Sequence, residues 1–335
     1  MVIFRSIDEV LQVFWLSPLL LVIGLALLGG GSGVVISSIV AISEKRRLRK
    51  SVLSFLLIAF STSLPELSVA INSIIFGTMA VSLGDILGSN ITNIALIVGV
   101  SLIVATIFHP HKRNITVGEE EKKEFTTGLM ILSVTLLSLL YLQYISKIIG
   151  VLLLCIFIGY SYILIRKGRE KEDIASNNFK DGKIKKESVL LTVGIVGIIT
   201  GARLTIESAI DIATYLGVPA SVIGATLVAF GTSLPELIVD VRAAYKGHFD
   251  IALGDIVGSC FLNSTLILGL LLVFTPFAIN LLVLSDLILF SVVSNLLLWF
   301  FLDNRKMGSR EGFVLLAFYL VNLLSILGII VLRVP

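Results

Sequence analysis

Apolar residues fill stretches of about twenty along almost the whole chain, and short polar clusters separate them. Twenty residues of helix match the hydrocarbon thickness of a bilayer. The pattern predicts ten membrane-spanning helices, at about 16–43, 51–76, 82–108, 125–145, 147–165, 188–214, 220–245, 250–275, 281–302 and 312–332. Ahead of the first, MVIFRSIDEVLQVFW carries Asp8 and Glu9 and no small-residue cleavage site. It reads as an interfacial segment and not as a signal peptide.

Two of these runs hold polar residues where a spanning helix ordinarily carries leucine. Residues 59–67 read AFSTSLPEL and residues 229–237 read AFGTSLPEL. Adding 170 to a residue number superposes the surrounding sequence without a gap, with 21 identities in the 43 positions from 57 to 99. Weaker matches reach back through Gly24/Gly194 and Gly31/Gly201. The matching motifs fall on spans 2–3 and 7–8, five spans apart, and an odd separation turns the second copy over in the membrane. Inverted repeats of this type place substrate near the midplane, on interrupted helices. Pro65 and Pro235 each remove a backbone donor, with Ser and Thr hydroxyls alongside to satisfy the freed carbonyls. The expected fold is an all-α polytopic membrane protein of ten transmembrane helices. Two inverted-topology five-helix repeats, 1–165 and 188–335, are joined by a linker at 166–187, with helices 2, 3, 7 and 8 broken.

Composition supports that reading: the 335 residues are 56% hydrophobic and 15% charged, far from the roughly 25% charge of soluble domains. With ten spans, 22 of the 26 Lys and Arg fall on one side, including the eight from Arg166 to Lys186. The positive-inside bias makes that side cytoplasmic, along with the 166–187 linker, and puts both termini outside. The same split argues against a basic patch for nucleic acid. Cys155 and Cys260 lie in separate spans and imply neither a disulfide nor a metal site.

The chemistry sits in the repeated motifs. A carboxylate at the bilayer centre costs about 2.5–3.5 kcal/mol on insertion scales, so Glu66 and Glu236 must face each other, water or a cation. Thr62 and Glu66 share a helix face at i and i+4, as do Thr232 and Glu236. Asp85, Ser89 and Asn93 follow at steps of four, repeated as Asp255, Ser259 and Asn263. Gly88 and Gly258 would let backbones approach closely. The result is a cage of carboxylate, hydroxyl, amide and carbonyl oxygens with no His or Cys in the repeated motifs, suited to a hard cation such as Ca²⁺. Transport is the direct reading. An intramembrane aspartyl protease, suggested by the SLGD and ALGD stretches, leaves the paired TSLPE unexplained, and a continuous channel does not need buried acids on two broken helices.

A-F-[SG]-T-S-L-P-E-L followed by G-D-[IV]-[LV]-G-S-x-x-x-N resembles the two α-repeats of the sodium/calcium exchanger family, within the calcium/cation antiporter superfamily. The resemblance covers nearly the whole chain and is most specific at 54–100 and 224–270. It implies that Glu66 and Glu236 are central calcium ligands. It also implies that Ca²⁺ and Na⁺ ligands fall on Thr62, Ser63, Ser89, Asn93, Thr232, Ser233 and Ser259, with backbone carbonyls near Ala59 and Ala229. Two departures stand out: Asn263 replaces an Asp of archaeal relatives, and Asp85 and Asp255 replace Asn. These two acids are expected either at the two mouths, Asp85 outside and Asp255 inside, or as N-caps opening their helices. Asp240, whose counterpart is Ala70, would supply the missing third charge or pair with a nearby basic group. Arg203, Glu207 and Asp211 form a self-paired interfacial stripe, with a gating role as its rival, and His109, His111 and His248 are expected to be solvated.

The implied activity is antiport, not enzymatic catalysis, with no cofactor and no obligatory protein partner. Ca²⁺ exchanges for Na⁺ by alternating access, with H⁺ as the alternative counter-ion. The linker of about twenty residues leaves no room for a regulatory calcium-binding domain and points to a compact prokaryotic-type exchanger.

Overall fold

The computed structural model describes residues 16–46, 50–76, 79–109, 115, 117–141, 144–145, 147–170, 182–215, 229–274, 277–278, 281–304 and 307–326. Helices account for nearly all of it. In chain order they are α1 Ser17–Arg46, α2 Lys50–Leu53, α3 Ala59–Thr62, α4 Leu64–Phe76, α5 Met79–Ile91, α6 Val98–Phe108, α7 Glu119–Tyr141 and α8 Lys147–Glu170. They continue as α9 Gly182–Tyr215, α10 Ala229–Thr232, α11 Leu234–Tyr245, α12 Phe249–Leu262, α13 Leu268–Phe274, α14 Leu281–Asp303 and α15 Ser309–Ile326. Two-residue strands β1 (Tyr144–Ile145) and β2 (Phe277–Ala278) pair antiparallel, with Tyr144 opposite Ala278. Among the described residues, five helical stretches are apolar enough, by length and composition, to cross a membrane, or six if the bent pair around Ser63 counts as one span.

Two proline positions set the breaks. Ser63 (φ −84°, ψ 12°) and Ser233 (φ −85°, ψ 6°) leave helical geometry one residue before each Leu-Pro-Glu. A proline ring clashes with the carbonyl four residues back, so the helix must yield there. The chain bends by 53° between Ser54–Thr62 and Leu64–Ile75. The ladder resumes at once, with Leu67 N donating to Ser63 O at 3.1 Å and Leu237 N to Ser233 O at 3.0 Å.

Helices 3 and 8 of the sequence reading behave differently. They do not break: each runs on through a π-helical segment, π2 at Thr92–Ile97 and π3 at Asn263–Ile267. A further segment, π1 at Ser54–Ile58, joins α2 to α3. A π turn inserts one residue and rotates the side chains that follow, and such turns concentrate at functional sites. Asn93 and Asn263 lie at the starts of two of them.

Glycine contacts hold the helices together in pairs. A Cβ on Gly31 would stand 2.8 Å from Gly194 O, and one on Gly201 would stand 2.7 Å from Gly24 O, so α1 and α9 touch backbone to backbone. The pairs 24/194 and 31/201 are related by the offset of 170, so this interface lies on the symmetry axis of the repeat. Gly99 packs on Gly312 O (3.1 Å), and its counterpart Gly269 packs on Gly150 O (3.1 Å). Around this frame, α1, α8 and α9 present Leu19, Val22, Ile148, Ile158, Val189 and Val193 outward, as lipid-facing helices do. α12 is the reverse: every residue from Ile251 to Leu262 is buried. Phe261 anchors it against Phe55, Phe157 and Tyr160, with ring centroids 5.0–6.1 Å apart.

Candidate functional site: a buried carboxylate cluster between the two halves

The breaks at Ser63 and Ser233 put the two glutamates in the first turns of α4 and α11, in the middle of the protein. Glu66 is 1% exposed and Glu236 fully buried. Ser63 Oγ donates to Glu236 Oε1 at 3.2 Å, so the first motif reaches directly onto the acid of the second. Each glutamate also accepts from the serine 23 residues later: Ser89 Oγ to Glu66 Oε1 and Ser259 Oγ to Glu236 Oε1, both 3.4 Å. The identical geometry on both sides follows from the identical spacing in the repeat.

The threonines cross over. Thr62 Oγ1 donates to Asp255 Oδ1 at 3.3 Å, and Thr232 Oγ1 donates to Asp85 Oδ1 at 3.0 Å. Each half therefore supplies a hydroxyl to the other half's aspartate. This corrects both expectations for the aspartates. Asp85 lies six residues into α5 and Asp255 six residues into α12, so neither caps a helix. Neither is set apart at a mouth: Asp85 is 7% exposed and Asp255 fully buried, each against the opposite motif. A helix start and a helix interior look alike in sequence when the preceding residues are apolar.

Asp240 is fully buried, and no N–H or hydroxyl group among the described residues donates to either of its oxygens. The expected alternative, a basic partner, is absent among the described residues. Arg242 turns away from it: its Nη1 donates to Gly29 O on α1, and its guanidinium fills the notch left by Gly33, where a Cβ would meet Nη2 at 2.8 Å. Asp240 instead faces Asp255, close enough for the two carboxyls to share one proton, with Glu236 near by.

The amides complete the polar lining. Asn93 is fully buried, with neither amide atom partnered. Asn263 Nδ2 donates to Asn90 Oδ1 at 3.5 Å, which leaves its own Oδ1 free to face the cluster. Asn90 also donates to Ser264 Oγ at 2.9 Å. Neither Asn90 nor Ser264 was singled out by sequence, because their counterparts, Cys260 and Ile94, are different residues and the repeat comparison passes over them. The Ala59 carbonyl accepts from Ser63 N at 3.0 Å. Ala229 opens α10. Ser233 Oγ is buried and without a partner.

Among the described residues, no three Asp, Glu, His or Cys side chains converge tightly enough to hold a metal ion by themselves. A cation here must draw hydroxyl, amide or carbonyl oxygens in addition to carboxylates. The close approach expected at Gly258 is present: a Cβ there would stand 2.5 Å from Phe55 O. The equivalent partners of Gly88, residue 225 and the Ala229 side chain, lie outside the described positions.

Away from the cluster, Arg203 Nε pairs with Glu207 Oε1 at 2.7 Å, and both side chains are exposed. Asp211 is not self-paired as expected: it accepts from Ser17 Oγ at 3.2 Å and so ties α9 to the start of α1. His109 is not simply solvated either. Its Nε2 meets Tyr245 O at 2.9 Å, and its ring lies against Gly247, whose φ of +81° a side chain would rarely adopt. His111 lies outside the described residues.

The family described as "Sodium/calcium exchanger protein" matches this sequence over residues 16–166 and 186–328. A sodium/calcium exchanger of Methanosarcina acetivorans is 32% identical, with 91% of this chain and 97% of that protein covered. An uncharacterized membrane protein of Methanocaldococcus jannaschii is 31% identical, covering 91% and 96%. A solved structure of the sodium-calcium exchanger NCX_Mj, soaked with 2.5 mM Na⁺ and 0.1 mM Ca²⁺, superposes with a TM-score of 0.81 at 28% identity. That superposition covers 95% of this chain and 99% of the other.

Proposed function

Because the chain belongs to the sodium/calcium exchanger family, a family of membrane transporters, we propose that it exchanges Ca²⁺ for Na⁺ across the cell membrane by alternating access at the Glu66–Glu236 centre. The observation that carries this reading is the Ser63–Glu236 contact together with its symmetric surroundings. Two buried acids come from two copies of one motif: Ser63 of the first reaches Glu236, Ser89 and Ser259 bond one acid each, and Thr62, Thr232, Asn93 and Asn263 are buried as well. Glu66 and Glu236, with neighbouring hydroxyl, amide and carbonyl oxygens, supply the mixed oxygen set that a dehydrated Ca²⁺ requires.

The electrostatics give exchange in preference to leak. Two bare carboxylates in low dielectric repel each other and lose their hydration, so the empty centre resists reorientation. A divalent ion, or monovalent ions of equal charge, removes that penalty and lets the carrier turn over. Five-helix repeats of opposite orientation, 1–165 and 188–335, joined by a cytoplasmic linker at 166–187, would exchange roles as the site changes side. The ten spans and the external termini belong to the same proposal. The reciprocal Thr62–Asp255 and Thr232–Asp85 bonds support it, since a two-fold relation swaps one for the other.

The hydroxyls of Thr62, Ser63, Thr232 and Ser233 favour Na⁺ as the counter-ion. Proton exchange is the second reading, favoured by Asn263, which supplies an amide where a third carboxylate would bind a third sodium. Uptake of radioactive calcium into proteoliposomes separates the two. An outward Na⁺ gradient should drive it, and a pH gradient alone should not. Uptake under neither gradient would overturn the exchange reading.

A further inference from the structure

A side-chain amide that binds a cation has to be the right way round. Its carbonyl oxygen attracts the ion and its NH₂ group repels it, yet the two ends have nearly the same shape. Asn263 stands where that choice matters. It lies one turn beyond Ser259, whose Oγ bonds Glu236 Oε1 at 3.4 Å, and both residues are fully buried. The backbone N–H of Asn263 still reaches Ser259 O, so the helical turn is intact and the two side chains share a face. Asn263 Oδ1 has no donor among the described residues, while its Nδ2 is engaged.

The engaged end is held from the other half. Asn90, on α5, accepts from Asn263 Nδ2 through its Oδ1 at 3.5 Å. Asn90 is itself oriented: its Nδ2 donates to Ser264 Oγ at 2.9 Å, which leaves its oxygen to meet Asn263. Asn90 and Ser264 are fully buried, so bulk water does not compete for these bonds. The first half has no such hold. The counterpart of Asn90 is Cys260, only a weak acceptor, and among the described residues no amide, hydroxyl or carbonyl group bonds the Asn93 side chain. Cys260 Sγ lies 3.9 Å from Asn90 O, so these two equivalent positions meet and flank the axis of the repeat.

We propose that Asn90 is a positioning residue for the cation centre: with Ser264 behind it, Asn90 turns the Asn263 amide so that Oδ1, and not Nδ2, is presented to the bound ion. A neutral oxygen then stands ready where two carboxylates alone supply too few ligands for a dehydrated cation. The two amides of the repeat therefore work differently. Asn263 is set before the ion arrives, and Asn93 is left for the ion itself to orient. Holding a ligand group in its bound orientation removes that ordering cost from binding. The inference rests on the exchange reading, which makes the centre a cation site.

A double-variant cycle on the full-length protein in detergent tests this. Equilibrium binding of radioactive Ca²⁺ is one readout, and Na⁺-dependent thermal stabilisation, with choline as the control cation, is the other. Asn90→Leu keeps the volume and removes the amide, and Asn90→Ala, which adds no bulk, is the second variant. Asn263→Ala removes the ligand oxygen. Asn263→Ala and the Asn90 variants should each weaken binding of the same cation, Ca²⁺ or Na⁺, by about tenfold, as loss of a group behind a metal ligand does. The double variant should match Asn263→Ala within about twofold, because Asn90 acts only through Asn263. Losses that multiply to about a hundredfold would overturn the proposal. So would Asn90 variants that melt earlier yet bind both cations as the wild type does, or an Asn263→Ala protein with unchanged binding of both. Should the wild type bind neither cation, the exchange reading falls and this inference with it. Should it bind them while the two losses multiply, the centre stands and only the role given to Asn90 fails.

Discussion

The first and second halves of the chain repeat the same motif, yet they are not interchangeable. The first contributes Glu66 and Asp85 to the cluster, with Ala70 as apolar filling. The second contributes Glu236, Asp255 and Asp240, along with Arg242, which crosses to α1. What the halves share builds the site: Pro65 and Pro235 force the breaks, Ser89 and Ser259 each bond their own half's glutamate at 3.4 Å, and Thr62 and Thr232 each bond the other half's aspartate. What they do not share gives the site a direction. A perfectly symmetric site would present the same charge to both sides of the membrane, whereas here the second half carries one acid more.

The shared part is tested first. Glu66→Gln and Glu236→Gln each keep shape and one acceptor oxygen but remove half the central charge. Each should reduce calcium exchange at least about a hundredfold, the scale of a buried, directly liganding charge. Melting temperature should change little in either variant, because a neutral amide is easier to bury than a carboxylate. Comparable losses mean the two halves meet in one centre. If one variant still transports at wild-type rates, the halves do not act together and the comparison fails.

Packing is the next level. α12 approaches π1 so closely that a Cβ at Gly258 would overlap Phe55 O, a backbone atom that no rotamer change can move aside. Gly258→Ala should therefore destabilise by about 1–3 kcal/mol, as overpacking does. Thermal unfolding in detergent should report it as an earlier transition. An unchanged transition would mean that α12 sits further from the first half than its buried face requires.

Much of this arrangement was legible in the chain, and the reasons for the rest are physical. Proline chemistry and the offset of 170 placed the helix interruptions at 63 and 233 and grouped the motif residues. That Thr62 bonds Asp255 and not its own half's Asp85 depends on how the halves dock, which no local spacing encodes. The aspartates looked like helix caps because each follows a glycine, Gly84 or Gly254, and only the folded chain puts them mid-helix. π2 and π3 leave no propensity signature, so helices 3 and 8 were expected to break where the folded chain runs on. Arg242 was counted among the basic residues of the cytoplasmic side, and its insertion at Gly33 needed coordinates to be seen. Asn90 and Ser264 escaped because attention to the repeat favours positions that match.

The arginines carry the comparison to its weakest effects. Gly33 and Arg203 occupy equivalent positions in the two halves, and so do Asn72 and Arg242. In one case the guanidinium crosses between halves, with Arg242 lying against Gly33 and donating to Gly29 O. Lys246, one turn on, donates to Ser37 Oγ at 3.5 Å and adds a second strap to the same face of α1. Arg242→Ala removes a charge-assisted bond from a half-exposed side chain and should cost about 1 kcal/mol.

Arg203 stays within its own helix, paired to Glu207 with both side chains in the open. Exposed i,i+4 pairs of this kind are screened by solvent and fix two flexible side chains for little gain. Arg203→Ala should therefore leave the melting temperature within experimental error and leave calcium uptake unchanged, in side-by-side measurements with Arg242→Ala. The ordering of the two variants matters more than either value. Equal drops would mean that α1 and α9 are anchored alike at both ends, and that the crossing arginine adds nothing to the difference between the halves.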